Sequence, residues 1–188
     1  MDMSSQAARR YFTVEEYHRM GEAGILREDD RVELIEGEIL KMSPVGSRHA
    51  ACVKRLNELF SRLLTSRAIV GIQDPILLND STEPQPDLTV LRRRDDFYAA
   101  AHPNAIDVQL LIEVAETSIA YDREGKLPIY AHAAIPEVWI VDLSAEVIET
   151  YSEPVRGTYQ ISRTFGRGQS VTPVNFPDIA IPVANILG

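Results

Sequence analysis

Glu113 stands inside one of the most apolar stretches of the chain, VQLLIEV, between Leu110, Leu111, Ile112 and Val114. An ionised carboxylate in a buried strand costs on the order of several kcal/mol unless something compensates it, and a divalent cation would do so. Asp87 opens a second apolar stretch, DLTVL, directly behind Pro86, so another carboxylate projects from the edge of the same predicted sheet. Two strand-borne acids that converge would hold a hard cation, Mg²⁺ with retained waters. Each acid also has a structural alternative: an Asp after Pro often bonds its own backbone in a turn, and a Glu near a strand end can pair with an Arg.

Lys126 follows Glu113 by thirteen residues, with Asp122 four positions before it. On a surface helix the two would form an acid-first ion pair four residues apart, worth a few tenths of a kcal/mol. Beside a metal, the lysine would instead steady a phosphate or orient the attacking water. The single cysteine, Cys52, forms no intramolecular disulfide, and the sequence contains no His-x-x-x-His spacing, so no zinc framework is expected. Any metal here is held by oxygen.

The elements that must position these groups follow from periodicity. Residues 1–10 read as a flexible arm and 11–188 as one domain. Thr13 and Glu16 have the spacing of a capping box, Phe12 and Tyr17 that of a hydrophobic staple, and a short helix should end near Gly21 or Gly24. VELI and EILKM around Glu36-Gly37 read as an N-terminal β-hairpin. Its acids Glu33, Glu36 and Glu38 lie on alternating faces, and the pattern does not choose among them. From Arg48 to about Leu64 the apolar positions have helical spacing, with Cys52 expected as a small buried hydrophobe. AIVGIQDPILL, DLTVL and DVQLLIEV read as three strands, the last central. Residues 121–134 tend to helix, with regular helix expected from Pro128. EVWIVD, EVIETY and TYQISRTF are further strands, Trp139 being a core residue, and the Gly- and Pro-rich FGRGQSVTPVNFPDIAIP closes the chain in short strands and turns. The class is α/β or α+β, a mixed central sheet flanked by helices.

The balance of 19 Lys+Arg against 28 Asp+Glu, a net charge of −9, argues against a non-specific nucleic-acid coat, although a local site that must gather carboxylates is acidic in any case. The run Arg92-Arg93-Arg94 could contact phosphate or be solvated surface, and His49 could touch substrate or serve the helix start. No GxGxxG, GxxxxGK[ST] or GxSxG occurs. No apolar run approaches the ~20 residues of a membrane span and the N-terminus lacks a secretory pattern, so a cytoplasmic protein is expected.

The ordered set YFTVEEY, VELIEGEI followed by MSP, His49, QPDLTV, IEVAETS, the Asp122 to Lys126 spacing and YAHAAIPEVWIVD resembles the Uma-two family of restriction endonucleases, within the PD-(D/E)XK nuclease superfamily. The resemblance runs from about Tyr11 to Leu187. It implies a restriction-endonuclease-like fold that hydrolyses DNA phosphodiester bonds with Mg²⁺ or Mn²⁺. Asp87 and Glu113 would hold the metal, Lys126 would supply the ammonium, and Glu33 is favoured among the hairpin acids as an assisting group. One position departs from the superfamily pattern: the lysine commonly found two residues after the acid is Ala115 here, and the resemblance places its replacement at Lys126. Because cutting both strands of a duplex takes two such sites, a homodimer is expected. The alternatives are a nuclease-fold binding or scaffold protein that has lost the activity, and a hydrolase of another phosphate ester.

Overall fold

The computed structural model describes residues 9–27 and 29–188, so most of the expected 1–10 arm lies outside the described residues. Helix α1 (Val14–Glu22) starts at the capping box: the Glu16 amide donates to Thr13 Oγ1 and the Thr13 amide donates to the Glu16 carboxylate. Strands β1 (Val32–Ile35) and β2 (Glu38–Lys41) pair in the register Ile35↔Glu38. Both turn residues, Glu36 and Gly37, have positive φ, as a tight hairpin with the right-handed strand twist requires. The hairpin is tied to the rest of the chain by backbone bonds from Phe12 to Gly37, from Gly37 to Ser81 and between Leu34 and Glu83.

The central sheet has six strands in the order β3-β4-β5-β6-β7-β8. They are β3 (Ala68–Gly71), β4 (Leu88–Arg92), β5 (Val108–Ala115), β6 (Glu137–Asp142), β7 (Val147–Val155) and β8 (Thr158–Gly166). Only β5 and β6 run parallel, which makes the sheet mixed; the crossover between them carries the second helical layer. Alternation along β5 sends Leu110, Ile112 and Val114 into a core with Cys52, Leu56 and Phe60 of α2 (Ser47–Leu63). Leu111 and Ala115 enter the opposite core with Tyr130 and Ile135. Trp139 is fully buried and meets Phe60 edge-on at 5.8 Å. The chain closes with β9 (Ser170–Val171), β10 (Ile181–Pro182) and α5 (Val183–Leu187), which packs on α2.

One expectation about local structure is corrected and another is extended. AIVGIQDPILL is not one strand: β3 stops at Gly71, Gln73 takes positive φ, and Pro75 has no amide for a ladder. Regular α-helix does start with Pro128 in its first turn, but helical structure starts earlier. It begins at α3 (Ile119–Tyr121), widens into a π turn (Asp122–Lys126) and continues as α4 (Leu127–His132). The Leu127 amide reaches back five residues to the Asp122 carbonyl, and this wider register passes over the amide that Pro128 lacks.

Glu137, at the start of β6, is a buried acid that the site does not use. Its Oε1 accepts from the Trp139 indole and its Oε2 from the Val174 amide, both at 2.7 Å. An amide has one acceptor where the carboxylate has two, so Glu137→Gln should cost roughly 1–3 kcal/mol, read as a melting temperature lower by several degrees. Burial, opposed by those two hydrogen bonds, raises the pKa of this carboxyl. A raised folded-state pKa gives stability that is present below the ordinary Glu range and lost as pH rises through the folded value. Melting curves across pH should lose that component of the slope in Glu137→Gln.

Candidate active site

The pairing Leu88↔Ile112 between β4 and β5, continued by one residue, sets Asp87 beside Glu113. The Val114 amide donates to Asp87 Oδ2 at 2.9 Å, fixing the first acid against the second strand. Glu113 is on the sheet face covered by the α3–α4 segment, and the π turn brings Lys126 over it. Lys126 Nζ lies 3.2 Å from Glu113 Oε1 and 3.0 Å from Glu33 Oε2, so the hairpin and the sheet meet through one ammonium. The phenol of Tyr130, one helical turn after Lys126, donates to Glu113 Oε1 at 2.6 Å. The Gln85 amide holds Glu33 Oε2 at 3.2 Å. Glu33, Asp87, Glu113 and Lys126 are 4%, 8%, 4% and 5% exposed, and all four line one cavity of about 460 Å³.

Of the hairpin acids, only Glu33 lines this cavity: Glu36 is in the exposed turn and Glu38 pairs with Arg9. Ala115 sits in the core with Tyr130, leaving the ammonium to arrive from the π turn. Asp122, which a surface ion pair would leave in solvent, is buried, accepts from Ser118 Oγ at 2.7 Å and also lines the cavity. The π turn was the missing signal, since it turns both Asp122 and Lys126 inward. His49 lines the cavity and bonds Asp87; the first turn of α2 has no side-chain cap. The three arginines lie elsewhere. Arg92 bonds the Ile106 carbonyl, Arg93 lies over Phe97, and Arg94 pairs with Asp96 and covers Tyr98.

The electrostatics follow from one ammonium among several acids. Burial, only partly opposed by Lys126 and reinforced by Asp87 and Asp122, pushes Glu113 up to about 8. Burial raises Asp122 as well. Lys126 is shifted the other way from what burial alone would do, because Glu113 and Glu33 hold its charge. Asp87 stays below the ordinary carboxylate range: burial opposes ionisation, but His49, the Val114 amide and Gln73 outweigh it.

Whether these residues suit a cation is decided by the oxygens left over. Among the described residues, Glu113 Oε2 accepts no hydrogen bond and Asp87 Oδ1 accepts one, from Gln73 Nε2 at 3.0 Å. One donor-free carboxylate oxygen on Glu113 and a free direction on Asp87 Oδ1, both facing a cavity short of positive charge, fit a hard divalent ion. Among the described residues, no group of three or more His, Cys, Asp or Glu is placed to hold a metal ion.

Among solved structures, the chain resembles one described as a "putative nuclease belonging to DUF820" from Anabaena variabilis, with a TM-score of 0.75 and 16% identity, covering 94% of this chain and 97% of the other. At that identity the likeness shows the fold. No curated protein matches the sequence. Among the described residues, no helix is long and apolar enough to cross a membrane. The sequence matches the Uma2 family, described as "Putative restriction endonuclease", over residues 14–184, and by that extent the chain belongs to it.

Proposed function

We propose that the chain is a Mg²⁺- or Mn²⁺-dependent endonuclease of the PD-(D/E)XK type that hydrolyses DNA phosphodiester bonds in the cavity between the hairpin and the sheet. The observation that carries this reading is the placement of Lys126 between Glu113 and Glu33, beside a Glu113 Oε2 that accepts no hydrogen bond among the described residues. Asp87 and Glu113 would hold the ion. When bound, such an ion supplies positive charge against the phosphate and lowers the pKa of water. Lys126 has three N–H donors and spends two on Glu33 and Glu113, which leaves one for a phosphate oxygen or for the attacking water. Glu33 orients the ammonium, and Tyr130 fixes Glu113 Oε1 so that Oε2 faces away from its donors. On this reading residues 11–188 form one catalytic domain in the cytoplasm, and a homodimer makes the two cuts that a duplex requires.

The direct test is incubation of supercoiled, single-stranded and branched DNA with Mg²⁺ or Mn²⁺. Cleavage by the wild type and none by Asp87→Ala supports the reading; equal cleavage by both indicates a contaminant. A measurement independent of turnover is the melting temperature with added metal. At a metal concentration one hundred times Kd the folded state gains about 2.7 kcal/mol, several degrees for a chain of this size. Asp87→Asn should reduce that response. A wild-type curve unmoved by millimolar metal would count against the site.

A further inference from the structure

The Asp87 carboxylate is surrounded by donors in a way that limits what it can give to an ion. Oδ2 accepts from His49 Nε2 at 3.0 Å and from the Val114 amide at 2.9 Å, and Oδ1 accepts from Gln73 Nε2 at 3.0 Å. A carboxylate offers about four lone-pair directions. Three are filled, both of those on Oδ2 among them, and one remains on Oδ1. The Val114 donor is fixed in the backbone of β5, so the two side chains, His49 and Gln73, complete the restriction.

Both side chains sit at a local cost. His49 Nδ1 is buried and has no hydrogen-bond partner among the described residues, while Nε2 is spent on Asp87. A helix position that needed only packing would be better filled by leucine, because a half-satisfied buried ring is destabilising. Gln73 has φ +53, a left-handed conformation that a side chain disfavours, and from it the backbone amide bonds the Asp87 carbonyl at 3.3 Å while the side-chain amide reaches Oδ1. Two separate segments thus accept unfavourable local states and converge on one carboxylate.

We infer that His49 and Gln73 are positioning residues that hold Asp87 as a one-oxygen ligand and thereby set the site's preference for small divalent cations, Mg²⁺ and Mn²⁺, over Ca²⁺. Calcium takes six to eight oxygens and commonly uses both oxygens of a carboxylate, whereas magnesium takes one or two carboxylates and keeps its waters. Glu113 is restricted in the same sense, since Lys126 and Tyr130 both occupy Oε1. Freeing Oδ2 by removing His49 lets Asp87 offer both oxygens, and the larger ion gains. This rests on the reading of Asp87 and Glu113 as ion ligands.

The test is calorimetric titration of the whole chain with MgCl₂, MnCl₂ and CaCl₂, without DNA. The wild type should bind Mg²⁺ and Mn²⁺ in preference to Ca²⁺. In His49→Leu the ratio of Mg²⁺ to Ca²⁺ affinity should fall roughly tenfold or more, the usual size of effect when a residue behind a metal ligand is removed. His49→Gln, whose amide can still donate to Oδ2, should stay within about threefold of the wild-type ratio. Gln73→Ala, in a loop, releases the Oδ1 end and lets the carboxylate turn both oxygens toward the ion, so it should shift the ratio in the same direction and serves if His49→Leu does not fold. A ratio unchanged in a folded His49→Leu or Gln73→Ala protein, or a uniform weakening for all three ions, overturns the inference while leaving the ion site standing. A wild type that binds none of the three overturns the site and the inference together.

Discussion

Lys126→Ala is expected to reduce DNA cleavage by about 10³-fold or more and to lower the melting temperature of the metal-free protein by roughly 10 °C. The first effect is the loss of a fixed charge at the reacting phosphate, a donor of the kind whose removal typically costs 10²–10³ in rate, together with the collapse of the arrangement it orders. The second arises because Glu33 and Glu113, both nearly inaccessible to solvent, are left without the ammonium they share. Breaking a buried pair from one side costs about 3–5 kcal/mol, and at 2–4 °C per kcal/mol for a chain of this size that sets the temperature scale. Added Mg²⁺ should recover more stability in the variant than in the wild type, because the ion meets an acid cluster with nothing else to neutralise it. Lys126→Met, which keeps the packing of the stem, should remain equally inactive. A lysine introduced at Ala115 should not rescue the activity: that residue is fully buried in the core with Leu111, Tyr130 and Ile140, and a four-carbon stem would overpack it. A Lys126→Ala protein that cut DNA at the wild-type rate would remove the ammonium from the mechanism.

Much of the scaffold was legible because its signals are local. Thr13 and Glu16 are three residues apart and cap one another whatever else the chain does, and Glu36-Gly37 makes a hairpin because its glycine accepts the positive φ of a tight turn. The acids in apolar strands were legible for the opposite reason: Asp87 and Glu113 contradict their surroundings, and that contradiction demands a partner. What stayed hidden depends on register between distant segments. The alternation in VELIEGEI leaves three acids equivalent; the family resemblance favours Glu33, and the physical reason is visible only when Leu34 bridges to Glu83 and sets the hairpin against the sheet. Asp122 reads as surface because helical spacing assumes 3.6 residues per turn, and the π turn breaks that assumption at the place where chemistry is concentrated. His49 shows no sequence signal that separates a helix-start residue from one that bonds a carboxylate 38 positions later.

Glu113→Gln is expected to abolish cleavage and the response to metal while raising the melting temperature of the metal-free protein. The three effects have one cause. The carboxylate is 4% exposed, its pKa is pushed up to about 8 mainly by burial, and the ammonium it faces is shared with Glu33. A glutamine in the same rotamer still accepts from Lys126 and Tyr130 through its carbonyl oxygen, so the hydrogen bonds at Oε1 survive. What is lost is the charge and the donor-free oxygen at Oε2, the features that cost stability in the bare protein and would draw in the ion. A site built only for folding gives the reverse pattern, since removing one partner of a stabilising ion pair lowers the melting temperature. Differential scanning calorimetry of the wild type and Glu113→Gln, with and without 5–10 mM Mg²⁺ (roughly saturating for a site of millimolar or tighter affinity), separates the two. A variant that melts higher without metal and no longer responds to it marks Glu113 as an acid retained at the expense of stability. A variant that melts lower and still responds places the ion elsewhere, and the assignment of Glu113 as its ligand falls.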